Sequence, residues 1–300
     1  MKIVKSIVPP IFIILINRLF PGLDKFLKLR KIKRRLKRRN QLNLVEKSFE
    51  LKNIHSKDRI FIVGTGPSIK NQNLLYLKDE IVIGMNEFYL HPQIEQIKPK
   101  YNIYTGYSIH KETVSYETAV KSYTSFEKNL KLTGGTVLLP IWDFDFLSKN
   151  GLMKDETLSK YYFNYVLLPK DLDQFQFDSL YASYGGQNSA IFSICLAMFM
   201  GAKEIYLIGL DHDWILSYYD REQAHFYDDE KSPIYKDQKA TFNRNLLKDY
   251  FYPYVKIFEQ YEALEKYAKN HDIKIINLTN KGLLDVFERQ EYENFFNKNK

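Results

Sequence analysis

Several groups of residues have types and spacings suited to a phosphorylated ligand. The first is Gly64-Thr65-Gly66-Pro67-Ser68, which follows the apolar run Ile60 to Val63. Small residues let the backbone approach a phosphate, Pro67 suits a first helical turn, and Ser68 can hydrogen-bond free backbone N–H groups. A helix starting there would present donors and a partial positive charge to an anion. The spacing is neither G-x-G-x-x-G nor G-x-x-x-x-G-K-[ST], so no dinucleotide or P-loop motif is met, and a plain structural turn reads the same way. The second group is Gly84-Met85-Asn86-Glu87-Phe88-Tyr89, in which the Asn86 amide offers a paired donor and acceptor to a nucleobase or sugar edge, or simply caps a turn. The third, Gly185-Gly186-Gln187-Asn188-Ser189, is a polar start to an apolar helix that could bind an anion or serve only as a cap.

The fourth group, Asp211-His212-Asp213, ends the run Glu204 to Leu210. Carboxylates flanking one residue could hold Mg through Asp211 and Asp213 against a diphosphate, or they could cap neighbouring N–H groups. A histidine near its ordinary pKa is a natural base for a hydroxyl. His225 fits that role within a polar and aromatic segment, and His212 is the other candidate, its neighbouring carboxylates expected to raise its basicity.

These groups fall where an α/β sheet would place them. Strands are predicted at Ile60 to Gly64, Ile81 to Gly84, Tyr101 to Tyr104, Thr136 to Leu139, Glu204 to Ile208 and Lys274 to Asn277. Helices are predicted near Asn71 to Leu77, Glu112 to Leu130, Ser189 to Met200 and Lys256 to His271. Alternation of the two predicts a Rossmann-like, mainly parallel, doubly wound sheet. Ligands bind beyond the carboxyl ends of such strands, which brings in Thr105 as the residue after the third strand. The segment from Gly209 to Pro253 lacks periodicity and reads as a lid insertion, over about 212–253.

Net charge divides sharply along the 300 residues. Residues 1–50 hold 14 Lys/Arg against 3 Asp/Glu, a net of +11, which leaves 30 against 33, or −3, for residues 51–300. Nucleic-acid binding along the fold is therefore not expected, since that needs a basic face on the folded body; a basic helix that binds RNA remains the alternative for the tail. Residues Ile7 to Phe20 are mostly apolar but short for a span, and Lys25 to Arg39 carries ten Lys/Arg threaded by Leu29, Ile32 and Leu36 at helical spacing. An apolar wedge before an amphipathic polybasic helix predicts attachment to an anionic leaflet, peripheral or by a single anchor, with the body on the cytoplasmic face of the inner membrane. The heavy charge after the apolar run and the lack of a small-residue cleavage site disfavour a signal peptide. The expected division is thus a membrane-associating segment at 1–50 and a nucleotide-binding domain at 51–300. The single cysteine, Cys195 in an apolar helix, suits a reducing compartment and no disulfide framework.

The blocks resemble, in order and approximate spacing, the metal-independent bacterial sialyltransferases of lipooligosaccharide synthesis that use CMP-sialic acid. The family's N-G-P-S loop resembles Thr65-Gly66-Pro67-Ser68, its N-Q-F-Y resembles Asn86-Glu87-Phe88-Tyr89, and its K-E-I-Y-L-x-G-I-D resembles Lys203 to Asp211. Thr65 stands where that family has asparagine, and Gly185-Gly186 where it has a basic residue. Gly185 to Ser189 and Leu283 to Arg289 look more like a related group that includes pterin pyrophosphokinase-like and flagellin-modifying proteins. The resemblance implies transfer of an acidic sugar from a CMP-activated donor to a lipid-linked or lipooligosaccharide glycan without a cofactor. It implies that Gly66, Ser68, Asn86 and Ser189 face the donor nucleotide, that Tyr218 or Tyr219 donates to the leaving phosphate, and that His225 is the base. A Mg-dependent pyrophosphokinase or nucleotide-diphosphate transferase, and a noncatalytic nucleotide-binding protein at the membrane, are the competing readings. A homo-oligomer is compatible with all of these.

Overall fold

The computed structural model describes residues 23–105, 114–166, 183–184, 188–216, 225–227 and 247–298. The apolar stretch Ile7 to Phe20, the Gly185-Gly186-Gln187 triplet, Tyr218, Tyr219 and most of the expected lid lie outside them. Strands β1 (Arg59–Val63), β2 (Ile81–Met85), β3 (Tyr101–Ile103), β4 (Thr136–Pro140) and β5 (Lys160–Phe163) are followed by a two-stranded pair, β6 (Tyr165–Val166) and β7 (Ser183–Tyr184). Then come β8 (Glu204–Ile208), β9 (Lys274–Asn277) and β10 (Glu288–Arg289). The main sheet has eight strands in the order β10-β9-β8-β1-β2-β3-β4-β5, and every neighbouring pair is parallel.

Parallel neighbours need crossovers, and helices α3 (Ile94–Ile97), α4 (Tyr116–Thr133), α5 (Phe144–Asn150), α6 (Ser189–Phe199) and α7 (Leu247–Asn270) supply them, preceded by α1 (Leu23–Arg38) and α2 (Leu42–Glu46) and closed by α8 (Tyr292–Lys298). A sheet covered on both faces has near-continuous apolar strands, which is why β1 reads Ile-Phe-Ile-Val. Ile60 and Ile62 join the buried cluster that holds α6, Tyr261 and Leu264. Phe61 and Val63 join the opposite one, with Leu74, Leu77, Phe295 and Phe296. The chain winds outward from β1 to β5, then returns to lay β8 on the other side of β1. The loops after β1 and β8 therefore stand side by side at the topological switch point, the place where open α/β sheets bind ligands.

Several local features depart from the predicted elements. The predicted helix at Asn71 to Leu77 is two 3₁₀ turns, Pro67–Asn71 and Leu74–Leu77. Between them Gln72 is extended and its amide donates to the Leu278 carbonyl at 2.8 Å, while Asn73 caps the second turn. Helix α4 starts at Tyr116 because the Ser115 hydroxyl accepts from Thr118 N. Helix α7 begins at Leu247 and runs through Pro253, inside the stretch assigned to the lid.

The boundary expected at residue 50 does not coincide with a break in packing. Leu36 and Val45 are buried in a cluster with α4, β4 and α5 residues, and Ile32 and Leu42 pack against it. Arg35 Nη2 donates to Asn164 Oδ1 at 2.9 Å, and Gln41 Nε2 donates to Asp145 Oδ1 at 3.0 Å. Leu36 and Ile32, read in the sequence as an apolar thread through the basic helix, dock that helix on the body. Among the described residues no helix is long and apolar enough to cross a membrane. Because Leu36 is 1% exposed, Leu36→Ala is expected to cost about 2–5 kcal/mol, and a chain starting at residue 41 should unfold at lower urea concentration than the full chain. Equal midpoints would place the tail outside the cooperative fold.

Candidate functional site

The switch point is closed from beneath by Asp211. Its carboxylate accepts from Ser68 N at 3.2 Å and from Ser68 Oγ at 2.9 Å, tying the loop after β8 to the first turn after β1. A Cβ on Gly66 would sit 1.7 Å from Asp211 Oδ2, so the glycine is required by this internal neighbour. The main chain of Asp211 is held as well: Leu283 N donates to its carbonyl at 2.7 Å, and a Cβ on Gly282 would meet that oxygen at 2.2 Å. Burial pushes the Asp211 carboxyl up to about 6, against the lowering by Ser68, with Asp213 adding to the rise.

A second set of groups converges from β2, β3 and α6. Asn86 follows β2 with φ 49°, a left-handed conformation that asparagine tolerates. Its Oδ1 accepts from Thr105 Oγ1 at 3.1 Å and from Ser189 Oγ at 3.3 Å, and the two hydroxyls lie 2.9 Å apart. The acceptor of Asn86 is thus turned inward, so its amide would meet a ligand as a donor. Asn188 caps α6 by accepting from Ile191 N at 2.9 Å, and its Nδ2 donates to Tyr261 Oη at 3.2 Å.

The two histidines differ in place. His225 Nδ1 lies 3.1 Å from Thr65 Oγ1, Phe226 N donates to the Thr65 carbonyl, and the ring stacks on Tyr227 at 5.0 Å. The residue is therefore fastened to the β1 loop. Tyr227 reaches Glu87 Oε2 at 3.5 Å, and Glu87 itself is buried, with its carboxyl pushed up to about 7 chiefly by burial. His212 Nε2 meets Tyr261 Oη at 2.8 Å, its carbonyl accepts from Tyr254 Oη, and its ring packs edge-on against Phe258 and Tyr261. The expectation that neighbouring carboxylates raise the basicity of His212 is not met: burial lowers its pKa to about 4. The ordinary pKa expected for His225 is not met either, because burial lowers it to about 4 against a small rise from the Thr65 backbone.

Both Asp211 oxygens are engaged by Ser68, and among the described residues no group of three or more His, Cys, Asp or Glu is placed to hold a metal ion. Sequence reasoning missed Tyr261, Tyr227 and Gly282. Tyr261 was legible only as one residue of an apolar helical stripe, and a glycine five residues beyond a strand carries no pattern that points to Asp211.

The chain matches no protein-family profile, and no curated protein matches its sequence. Among solved structures it is similar to one described as the sialyltransferase CstII from Campylobacter jejuni in complex with a substrate analogue, CMP-3FNeuAc. The identity is 15% and the TM-score 0.41, over 78% of this chain and 86% of that one.

The Glu87 carboxyl gives a pH signature. The folded chain keeps its proton up to about pH 7, whereas an unfolded carboxyl releases it in the ordinary range, so this group's contribution to stability falls as pH rises through that window. His91, His212 and His225, all lowered to about 4 by burial, act in the opposite sense, adding stability as pH rises toward about 6.5. Glu87→Gln removes only the first effect. The variant should gain stability relative to the parent between pH 5 and pH 8 in urea melts, and a difference that stays constant would show that Glu87 titrates normally.

Proposed function

We propose that the protein moves an acidic, sialic-acid-like sugar from a CMP-activated donor to a glycan acceptor without a metal, with His225 as the base. The observation that carries this reading is that the β1 loop bearing His225 on Thr65 and the cluster of Asn86, Thr105 and Ser189 stand at the carboxyl ends of the neighbouring strands β1, β2 and β3. The likeness of Thr65 to Ser68, Asn86 to Tyr89 and Lys203 to Asp211 to the sialyltransferase blocks supports the choice of donor.

In this reading the acceptor oxygen attacks the anomeric carbon, the bond from that carbon to the CMP phosphate breaks, and the acceptor proton passes to His225. Positive charge develops on the sugar ring, as in related glycosyl chemistry. Burial keeps the His225 ring neutral, the state a base requires. A nearby anionic donor raises a histidine's pKa and so restores basicity when the donor is bound. Ser68 is committed to Asp211, the Gly64 and Gly66 N–H groups donate to the Ile208 and Gly209 carbonyls, Pro67 has no N–H, and the Thr105 and Ser189 hydroxyls donate to Asn86, so stabilisation of the departing phosphate falls to the Thr65 N–H and the Asn86 amide. Asn188 and Tyr261 hold the start of α6 in place.

Melting experiments with CMP, UDP, GDP and ATP, each with Mg or with EDTA, test the donor. CMP should raise Tm most and EDTA should change little; strict Mg dependence lost with Asp213→Ala would replace this reading with a nucleotide-diphosphate transferase, and binding without transfer would point to a noncatalytic nucleotide-binding protein. For the base, His225→Ala should lower turnover about 10²- to 10⁴-fold and leave CMP affinity within roughly threefold, because a group acting on the acceptor adds little to donor binding. His212→Ala should lower stability instead, through the lost Tyr261 contact. If His212→Ala alone abolished turnover in folded protein, the base would be His212.

A further inference from the structure

The rim that carries the candidate site also carries, on its two flanks, surfaces of unlike chemistry. On the β4–β5 flank sits α1. Its docking contacts, and those of the turn that follows it, lie past the carboxyl ends of those strands: Asn164, which follows β5, receives Arg35 and also accepts from Trp142 Nε1 at 3.3 Å, and Asp145 receives Gln41 of the turn. With Leu36 turned into the body, Arg30, Lys31, Arg34, Lys37 and Arg38 are left exposed. Residues three and four apart share a helix face, so these form a continuous basic stripe held at a fixed place on the fold.

On the β8 flank the chemistry is apolar. The loop after β8 exposes Leu216 at 65%, and the first turns of α7 expose Phe251 at 49%, Tyr252 at 67% and Val255 at 52%. Helix α7 runs toward the start of β9, so its first turns lie at the carboxyl rim, and Trp214 packs edge-on against Tyr254 there at 5.1 Å. Both tryptophans of the chain, Trp142 after β4 and Trp214 after β8, stand on this rim.

We propose that the carboxyl rim of the sheet is the face on which the protein lies against an anionic lipid surface, so that the candidate site opens toward the leaflet. A basic stripe alone would suit nucleic acid equally well. The added observation is the exposed group on the opposite flank, whose aliphatic members Leu216 and Val255 suit the headgroup and acyl boundary and offer a nucleic-acid base nothing to stack on. The sequence ahead of α1 adds an apolar run, Ile11 to Ile16. The proposal does not depend on the donor or the chemistry of the site.

Full-length protein, free of nucleotide, is titrated with vesicles of phosphatidylcholine alone or with about one-third phosphatidylglycerol, with bromine-labelled acyl chains in a parallel series. Binding should require the anionic lipid and weaken with salt, and the brominated chains should quench tryptophan emission, with Trp142→Phe and Trp214→Phe each keeping part of the quenching. Charge reversal at Lys31, Arg34, Lys37 and Arg38 should weaken binding at least tenfold. Phe251→Ser with Tyr252→Ser and Val255→Ser should weaken it several-fold while leaving the salt dependence, and unchanged melting would show each variant folded. Binding without quenching would overturn the orientation. Equal binding to both vesicle types, or a preference for a single-stranded oligonucleotide over anionic vesicles at the same salt, would overturn the lipid assignment. CMP stabilisation is measured separately, so a loss here leaves the functional reading intact.

Discussion

The arrangement rests on one buried carboxylate. Asp211 joins three stretches that are far apart in sequence: the turn after β1 through both groups of Ser68, the loop after β8 that contains it, and the segment after β9 through Leu283. A buried N–H without a partner costs about 1–3 kcal/mol, so the carboxylate is held in place by what its loss would leave behind. The cost of burying it is visible in its raised pKa. Close packing then follows: Gly66 and Gly282 are glycines because any side chain would collide with Asp211, and Gly209, with φ 65°, turns the β8 loop where a Cβ would strike Ile69.

Around that point the molecule arranges polar groups in short chains, each of which fixes one side chain through another. Thr65 fixes His225, Tyr261 fixes Asn188 and His212, and Thr105 with Ser189 fixes Asn86. Such networks cost little when every member is satisfied and hold geometry well. Burial keeps both histidines neutral, so changes in charge at the site are left to the acids Asp211 and Glu87 and to whatever ligand arrives.

The strands that face helices on both sides were legible because each is a run of β-branched and aromatic residues bounded by a turn. Strand β5 was not: Lys160-Tyr161-Tyr162-Phe163 forms the edge of the sheet, is only half-buried over its first two residues and lacks the β-branched run. The loops at the site could be read as small, polar and placed after strands, but not how they pair, since contact between Ser68 and Asp211 depends on strand order rather than on local pattern. The amphipathic stripe of the basic helix was equally plain in the sequence. What it packs against was not, because a stripe of Ile32 and Leu36 specifies an apolar partner without naming it.

The adjacency of β1 and β8 sets the order in which the protein can assemble. Arg59 pairs with Glu204, so one edge of the central strand waits for a partner about 145 residues further along. At ordinary rates of synthesis that interval is on the order of ten seconds, during which an apolar strand edge has no mate. Non-local parallel pairing is slow even in the finished chain, and an open edge of Ile-Phe-Ile-Val is a template for association with other chains. The junction of the β1 and β8 loops, which depends on that pairing, is therefore among the later features to form. An emerging chain of this protein would be expected to rely on a holding chaperone until α6 and β8 have left the ribosome.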